Sequence, residues 1–175
     1  MASSAPELSR RAREIVDTAR ALLEDEGPDE LYMRRLAERL GIRAPSIYKH
    51  FADKREIEAA LISVGFEEIA EAFEGAGRRG GLLGLGRAYR RFALEHPHLY
   101  RLMTSGPLPR ELLTPGVEDR AALPLLDTLE GDADRARAAW AFAHGMAILE
   151  LDGRFPPGAD LAEAWRRGIA AFADG

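Results

Sequence analysis

Cysteine is absent from the 175 residues, which removes disulfide scaffolds, thiolate zinc sites and cysteine nucleophiles together. An excess of positive charge is also lacking. With 29 acidic against 24 basic side chains the net charge is −5, so bulk attraction cannot coat this chain with nucleic acid, and any such site must be local. Lysine is scarce: it supplies 2 of the bases and arginine 22, a bias that genome composition explains and that carries no function. The chain does not open on a basic stretch followed by an apolar one, so no secretory leader is expected and the cytoplasm is the expected location. Its longest apolar stretch, Ala138 to Leu149, is shorter than the ~20 residues of a membrane helix and contains His144, so no membrane partner is expected. What remains is 46% apolar, ordinary for a chain that buries a core as one large domain or two small ones.

The charge is not spread evenly. Residues 1–55 hold 11 bases and 10 acids, whereas residues 56–175 hold 13 and 19, so the two parts are expected to face different partners. Periodicity predicts about nine helices and no strand, because no stretch alternates with period two. Ala12, Ile15, Val16, Ala19, Leu22 and Leu23 mark the first helix, stopped at Gly27-Pro28. Leu36, Ala37 and Leu40 mark a short second one, ended by Gly41, and Pro45 opens a third of about two turns. A capping box at Asp53 and Glu56 starts a fourth, carried by Ile57, Leu61, Val64, Ile69 and Phe73 to about residue 76, with Gly75 to Gly81 as its break. Leu82 to Phe92 form a fifth and Pro97 restarts a sixth; residues 105–118 read as a loop. A seventh carries Leu125, Leu126 and Leu129, with Pro124 expected to prevent a much earlier start. Asp132 caps an eighth that runs to about Asp152, and Asp160 with Glu163 starts a ninth.

Residues 31–51 therefore read as helix, tight turn and short helix, the helix-turn-helix plan in which the second helix enters the DNA major groove. Arg43, Ser46, Lys49 and His50 lie in or beside that short helix, while Ile47 and Phe51, four apart, point back to a core. Lys54 and Arg55 fall in the first turn of the next helix, where free N–H groups favour a phosphate, and Arg10, Arg11 and Arg13 add bases at the first helix. The same geometry occurs in all-α proteins that never touch DNA, and on periodicity alone Tyr48 is equally a core residue.

The residues themselves are more specific. Gly27 to Leu61, above all Leu36-Ala-Glu-Arg-Leu-Gly-Ile42, then Ala44-Pro-Ser-Ile-Tyr-Lys-His-Phe51, Asp53-Lys54 and Ile57, resembles the DNA-binding domain of TetR-family transcriptional regulators. His96-Pro-His-Leu-Tyr-Arg-Leu-Met103 and Trp140-Ala-Phe-Ala-His-Gly145 resemble the ligand domain of one subgroup, the one with a tryptophan-histidine-glycine motif. One departure is Tyr32, which stands where the family usually has a Ser or Thr capping the second helix; Asp29 or Glu30 is the alternative cap. The resemblance implies a DNA-binding domain over 1–55 and a ligand-binding and dimerisation domain over 56–175. It places Arg43, Ala44, Pro45, Ser46 and Lys49 nearest the base edges, where a basic side chain reads guanine and an alanine or proline surface packs on a thymine methyl. Tyr48, His50 and Lys54 then hold phosphates, which fix register without reading sequence.

The implied partners are a double-stranded operator, a second copy of the chain and a small-molecule effector. Tyr89, Phe92, Leu99, Met103, Trp140 and His144 are the expected effector contacts, aromatic and apolar with one titratable group, although ordinary core residues look the same. Ala139, Phe142, Met146, Leu149, Leu161, Trp165 and Ile169 form the expected dimer stripe of a four-helix bundle built from the last two helices of each copy. The fourth helix runs from Lys54 into the second domain, so a ligand that tilts it would change the separation of the two recognition helices. The expected function is a repressor released by a hydrophobic molecule. The alternatives are a DNA-binding dimer without an inducer, acting through another protein, and an α-helical ligand carrier or enzyme with a merely structural helix-turn-helix. No cofactor, metal or catalytic residue is expected. The Gly80 to Gly86 run matches no phosphate-loop spacing, His96 and His98 suit a helix junction better than a metal, no nucleophile neighbours His144, and no nucleophile elbow is present.

Overall fold

The computed structural model describes residues 8–173, whose regular structure is all helical, with no strand among them. There are seven α-helices: α1 (Arg10–Glu26), α2 (Met33–Arg39), α3 (Lys54–Glu95), α4 (Pro97–Thr104), α5 (Val117–Thr128), α6 (Ala133–Leu151) and α7 (Leu161–Ala170). The expected nine reduce to seven for two reasons. The third expected helix is a 3-10 turn over Ala44–Ser46, and the fourth and fifth are one helical run, α3, broken at a single residue rather than over Gly75 to Gly81. That residue is Gly81, with φ +53° and ψ −146°, a conformation an L side chain rarely adopts. Pro124 lies inside α5, which begins seven residues before it, so the expected late start is also corrected; Thr128 donates its hydroxyl proton to the carbonyl of Pro124 at 2.7 Å. The Gly80 to Gly86 stretch is helical apart from Gly81 and is not a turn.

Two compact units share the chain, one from residues up to Gly65 plus His96–Val117, the other from Phe66–Glu95 plus Glu118 onwards. In the first unit, α1 packs against α2 and α4. Its apolar stripe falls where the periodicity places it: Ile15, Val16, Ala19, Leu22 and Leu23 are all buried. Ser9 caps α1 through its hydroxyl on the Ala12 N–H, three residues on. Glu24 of α1 accepts the Leu99 and His98 N–H groups at 3.1 and 3.4 Å, so a carboxylate satisfies the orphan donors at the start of α4, where Pro97 removes another.

In the second unit, the ends of α6 and α7 are fixed by side chains chosen for that work. Asp132 accepts the Asp134 and Arg135 N–H groups, Asp160 accepts that of Glu163, and Arg135 donates to the carbonyls of Phe172 and Ala173 beyond α7, at 2.7 Å each. Arg90 of α3 grips Glu150 of α6 with two hydrogen bonds, 2.6 and 3.0 Å, while the Trp165 indole N–H of α7 donates to the same carboxylate at 3.0 Å. Three helices thus meet on one acidic side chain that is only 12% exposed.

The bend at Gly81 brings Gly84 so close to Ala76 that a Cβ at Gly84 would lie 2.5 Å from the Ala76 carbonyl oxygen. A backbone atom cannot swing aside, so Gly84→Ala should cost about 1–3 kcal/mol in thermal unfolding through overpacking. Gly80→Ala meets only the flexible tip of Arg87 at 3.2 Å and should be neutral or stabilising by up to about 1 kcal/mol. Equal losses at the two positions would show that the close approach does not constrain the bend.

Candidate nucleic-acid interface

The turn after α2 is built by the backbone. Gly41 takes φ +64°, and the N–H groups of Gly41 and Ile42 reach back to the carbonyls of Glu38 and Ala37, closing the helix with a Schellman pair. Arg43 is extended, and the chain then enters the 3-10 turn over Ala44–Ser46. Pro45 contributes no N–H, and the Ala44 carbonyl is bonded tightly by Ile47 N–H at 2.9 Å but only loosely by Tyr48 N–H at 3.5 Å, so an α-helix does not form here. One further turn follows, with His50 and Phe51 N–H groups on the Ile47 carbonyl. The short recognition helix expected from the sequence is therefore a tightened pair of turns.

Burial orients this segment. Ile47 and Phe51 are buried in the first unit, as their spacing requires. Arg43, Pro45, Lys49 and His50 are exposed, Ala44 and Ser46 half-buried, and Tyr48 is 53% exposed, which sets aside its reading as a core residue. At the far end Asp53 accepts the Glu56 N–H at 3.1 Å and Glu56 reaches back to the Ala52 N–H at 2.7 Å, so the expected capping box starts α3 at Lys54. At the near end, Tyr32 is the N-cap of α2 and makes no side-chain cap, and neither Asp29 nor Glu30 replaces it; both are held in a 3-10 turn over Pro28–Glu30 that ends before the helix begins.

The electrostatics are more selective than a count of bases. Arg35 and Arg39 of α2 are held in a partly shielded cluster, Arg35 by Glu26 at 2.9 Å and Arg39 by both Glu26 and Asp25, whereas Arg34, 85% exposed, faces Glu38 at 3.0 Å. Lys54 faces Glu58 at 3.4 Å and Arg55 faces Glu111 at 3.2 Å, both on exposed or half-exposed side chains where such pairs contribute little and open readily. Arg43 and Lys49 have no such partner among the described residues, so the positive potential is concentrated on the turn itself. Only the Arg34–Glu38 pair, four apart on one helix, is legible in the sequence, because Glu26 stands 9 and 13 residues from Arg35 and Arg39.

The expected effector residues are divided between the units. Leu99 is fully buried in the first, and Met103 lines a cleft of about 160 Å³ there with Arg55, Glu58 and Ile62. Tyr89 and Phe92 are buried in the second, with Tyr89 stacked on Phe73; Trp140 is 52% exposed on α6, its ring 6.3 Å from that of His144. Burial holds the His144 imidazole below its ordinary value, which keeps it neutral at neutral pH. Of the expected dimer stripe, Ala139, Trp165 and Ile169 are buried inside the unit, Phe142 packs on Trp165 and Phe172, Met146 and Leu161 are half-buried and Leu149 is exposed. Among the described residues no group of three metal-ligating side chains occurs, and no helix is long and apolar enough to cross a membrane.

A glycine-closed helix, a compact turn with bases pointing outward and its apolar residues inward, and a capped following helix make up a helix-turn-helix. Residues 15–61 match the model of the bacterial regulatory proteins of the tetR family, and residues 82–172 match that of the tetracyclin repressor-like C-terminal domain. The chain belongs to the TetR family of transcriptional regulators. It is 32% identical over 158 residues to an uncharacterized HTH-type transcriptional regulator of Mycobacterium tuberculosis, covering 83% of this chain and 72% of that one. The class C tetracycline repressor protein of Escherichia coli is 49% identical, but over 47 residues that make up 27% of this chain and 22% of that protein. Among solved structures, Mycobacterium smegmatis BioQ superposes with a TM-score of 0.70 at 25% identity over 93% of this chain and 95% of its own. BioQ has also been solved with its natural double-stranded DNA operator, a structure that matches this fold with a TM-score of 0.65 at 22% identity over 93% of this chain and 98% of that one.

Proposed function

We propose that this regulator is a repressor that binds a palindromic operator as a homodimer and is released by a small hydrophobic effector. The observation that carries the operator reading is the concentration of uncommitted charge: Arg43 and Lys49 stand exposed on a turn anchored by buried Ile47 and Phe51, while Arg35 and Arg39 of the neighbouring α2 are neutralised. In this reading residues 1–55 bind DNA and residues 56–175 hold the effector and the dimer contact. Arg43, Ala44, Pro45, Ser46 and Lys49 approach base edges; Tyr48, His50 and Lys54 contact phosphates. Ala138 and Ala141, exposed on α6 with Trp140 and Leu149, support a close helix-on-helix contact with a second copy. In this reading the effector contacts come from Tyr89, Phe92, Trp140 and His144, which share the second unit, while Leu99 and Met103 belong to the first.

The test is a gel-shift series on fragments of promoters near its gene, followed by footprinting. The expected result is a competitor-resistant complex protecting two half-sites whose centres lie roughly 34–36 Å apart or a multiple of that. Sedimentation of the free protein should return a dimer at micromolar concentration. No competitor-resistant complex on any fragment overturns the operator reading, and a monomer overturns the dimer.

A further inference from the structure

A second cleft, of about 380 Å³, lies wholly within the second unit between the latter part of α3 and α7, and its size falls in the range of small-molecule sites. Leu83, Trp165 and Ile169 give it an apolar floor, with Gly86 between them. A Cβ at Gly86 would stand 2.9 Å from Ile169, so the absence of a side chain there lets the two helices approach and leaves the floor smooth.

The charged groups around this floor are nearly all spoken for. Arg90 is held by Glu150 through two hydrogen bonds. Arg166 grips Glu163 through two more at 2.6 Å, and its guanidinium with that of Arg167 holds the Glu163 carboxyl down at about 2, so this pairing persists across the physiological range. Asp160 is occupied as the cap of α7. Arg87 remains: it is exposed, lines the cleft, and forms no hydrogen bond or ion pair among the described residues. One unpaired guanidinium at the edge of an apolar trough asks for one negative charge on an apolar body. A single uncommitted guanidinium matches a single carboxylate charge, whereas a dianionic phosphate monoester would leave half of its charge unmet.

We propose that this cleft binds an amphipathic organic monocarboxylate, its head on Arg87 and its chain along Leu83, Trp165 and Ile169. A guanidinium meets a carboxylate with two parallel N–H···O bonds, and the chain gains by leaving water, so both halves of the molecule contribute. The site stands apart from the operator reading; only its output, a change in DNA affinity, rests on it.

The experiment is isothermal titration of the full chain with decanoate and with decanol, below aggregating concentrations. Decanoate should bind at least about tenfold more tightly than decanol, the difference expected of a charge-assisted contact. Arg87→Ala should erase that preference while leaving decanol unchanged, Arg87→Lys should restore part of it, and Ala162→Trp, at an exposed position on the rim, should block both. Thermal unfolding of the ligand-free variants should be as cooperative as that of wild type, which shows that they fold. Equal binding of decanoate and decanol, or decanoate binding that survives Arg87→Ala, overturns the site. Operator affinity is then measured with saturating decanoate. A fall makes this cleft an effector site in place of the contacts named at Tyr89, Phe92, Trp140 and His144, none of which lines it; Arg87-dependent binding with operator affinity unmoved keeps the site and overturns release by this ligand.

Discussion

Lys49→Ala should weaken binding to the preferred operator by about 1–3 kcal/mol per half-site, and by much less on unrelated DNA. Lys49 is exposed on the turn and has no carboxylate partner among the described residues, so its charge is available to a base edge without first breaking an ion pair. Removing it removes discrimination. Lys54→Ala should behave differently: it lies at the start of α3 and shares its charge with Glu58, so its loss should weaken all sequences alike and reduce the salt slope by about one ion per subunit or less. Arg39→Ala is the internal control, because Arg39 is held by Asp25 and Glu26 and should leave specificity unchanged. The measurement is a competition titration on specific and random duplexes at several salt concentrations. A uniform loss for Lys49→Ala, or a specific loss for Arg39→Ala, would falsify the assignment of the reading edge to residues 43–49.

Glu150→Ala should lower stability by about 2–4 kcal/mol, since it strands the partly buried Arg90 guanidinium and the Trp165 N–H together. For a chain of this length that corresponds to roughly 5–15 °C in Tm. Glu150→Gln keeps an acceptor for the indole but not the ion pair, and should fall between the two. The effect has a pH signature. Burial pushes the Glu150 carboxyl up, but the hydrogen bonds from Arg90 and Trp165 and the Arg90 charge outweigh it, so the folded value lies below the ordinary carboxylate value of 4.5. A carboxyl depressed on folding contributes stability that is full above its unfolded value and is lost as pH falls through the folded one. The gap between wild type and Glu150→Ala should thus be constant at neutral pH and close on acidification below about 4.5. A gap that does not change with pH would mean that Glu150 acts by packing alone.

Local signals in the sequence were read well because their partners are local. The capping box at Asp53, the caps at Asp132 and Asp160 and the glycine exit at Gly41 each depend on residues within four positions and are found where the spacing puts them, although Glu163 turns its carboxylate to Arg166 and Arg167 and leaves the second box half made. The inward pair Ile47 and Phe51 follows from periodicity. What the sequence could not show depends on separation. Arg90 and Glu150 are 60 residues apart and Trp165 another 15 beyond, so nothing in their spacing announces a shared carboxylate. The same holds for Glu24 and Leu99, 75 apart. The helix count failed at the opposite scale. Whether Ala44–Ser46 closes as a 3-10 or an α turn rests on tenths of an ångström in two hydrogen bonds, and a glycine-rich stretch reads as a broad break whether one residue bends or seven do.

Gly81 shows how much can hang on symmetry rather than on chemistry. Its φ and ψ are close to the mirror image of the polyproline II conformation, the most ordinary shape an L-residue takes outside a helix. At every other position of α3 the two hands of an amino acid differ in favour of the natural one; here the preference is inverted. An achiral residue is indifferent, which is why glycine fits, and a D-alanine introduced by semisynthesis would be more at home than any of the other genetically encoded residues. The bend in α3 is thus a place where the backbone turns against the handedness of its own building blocks.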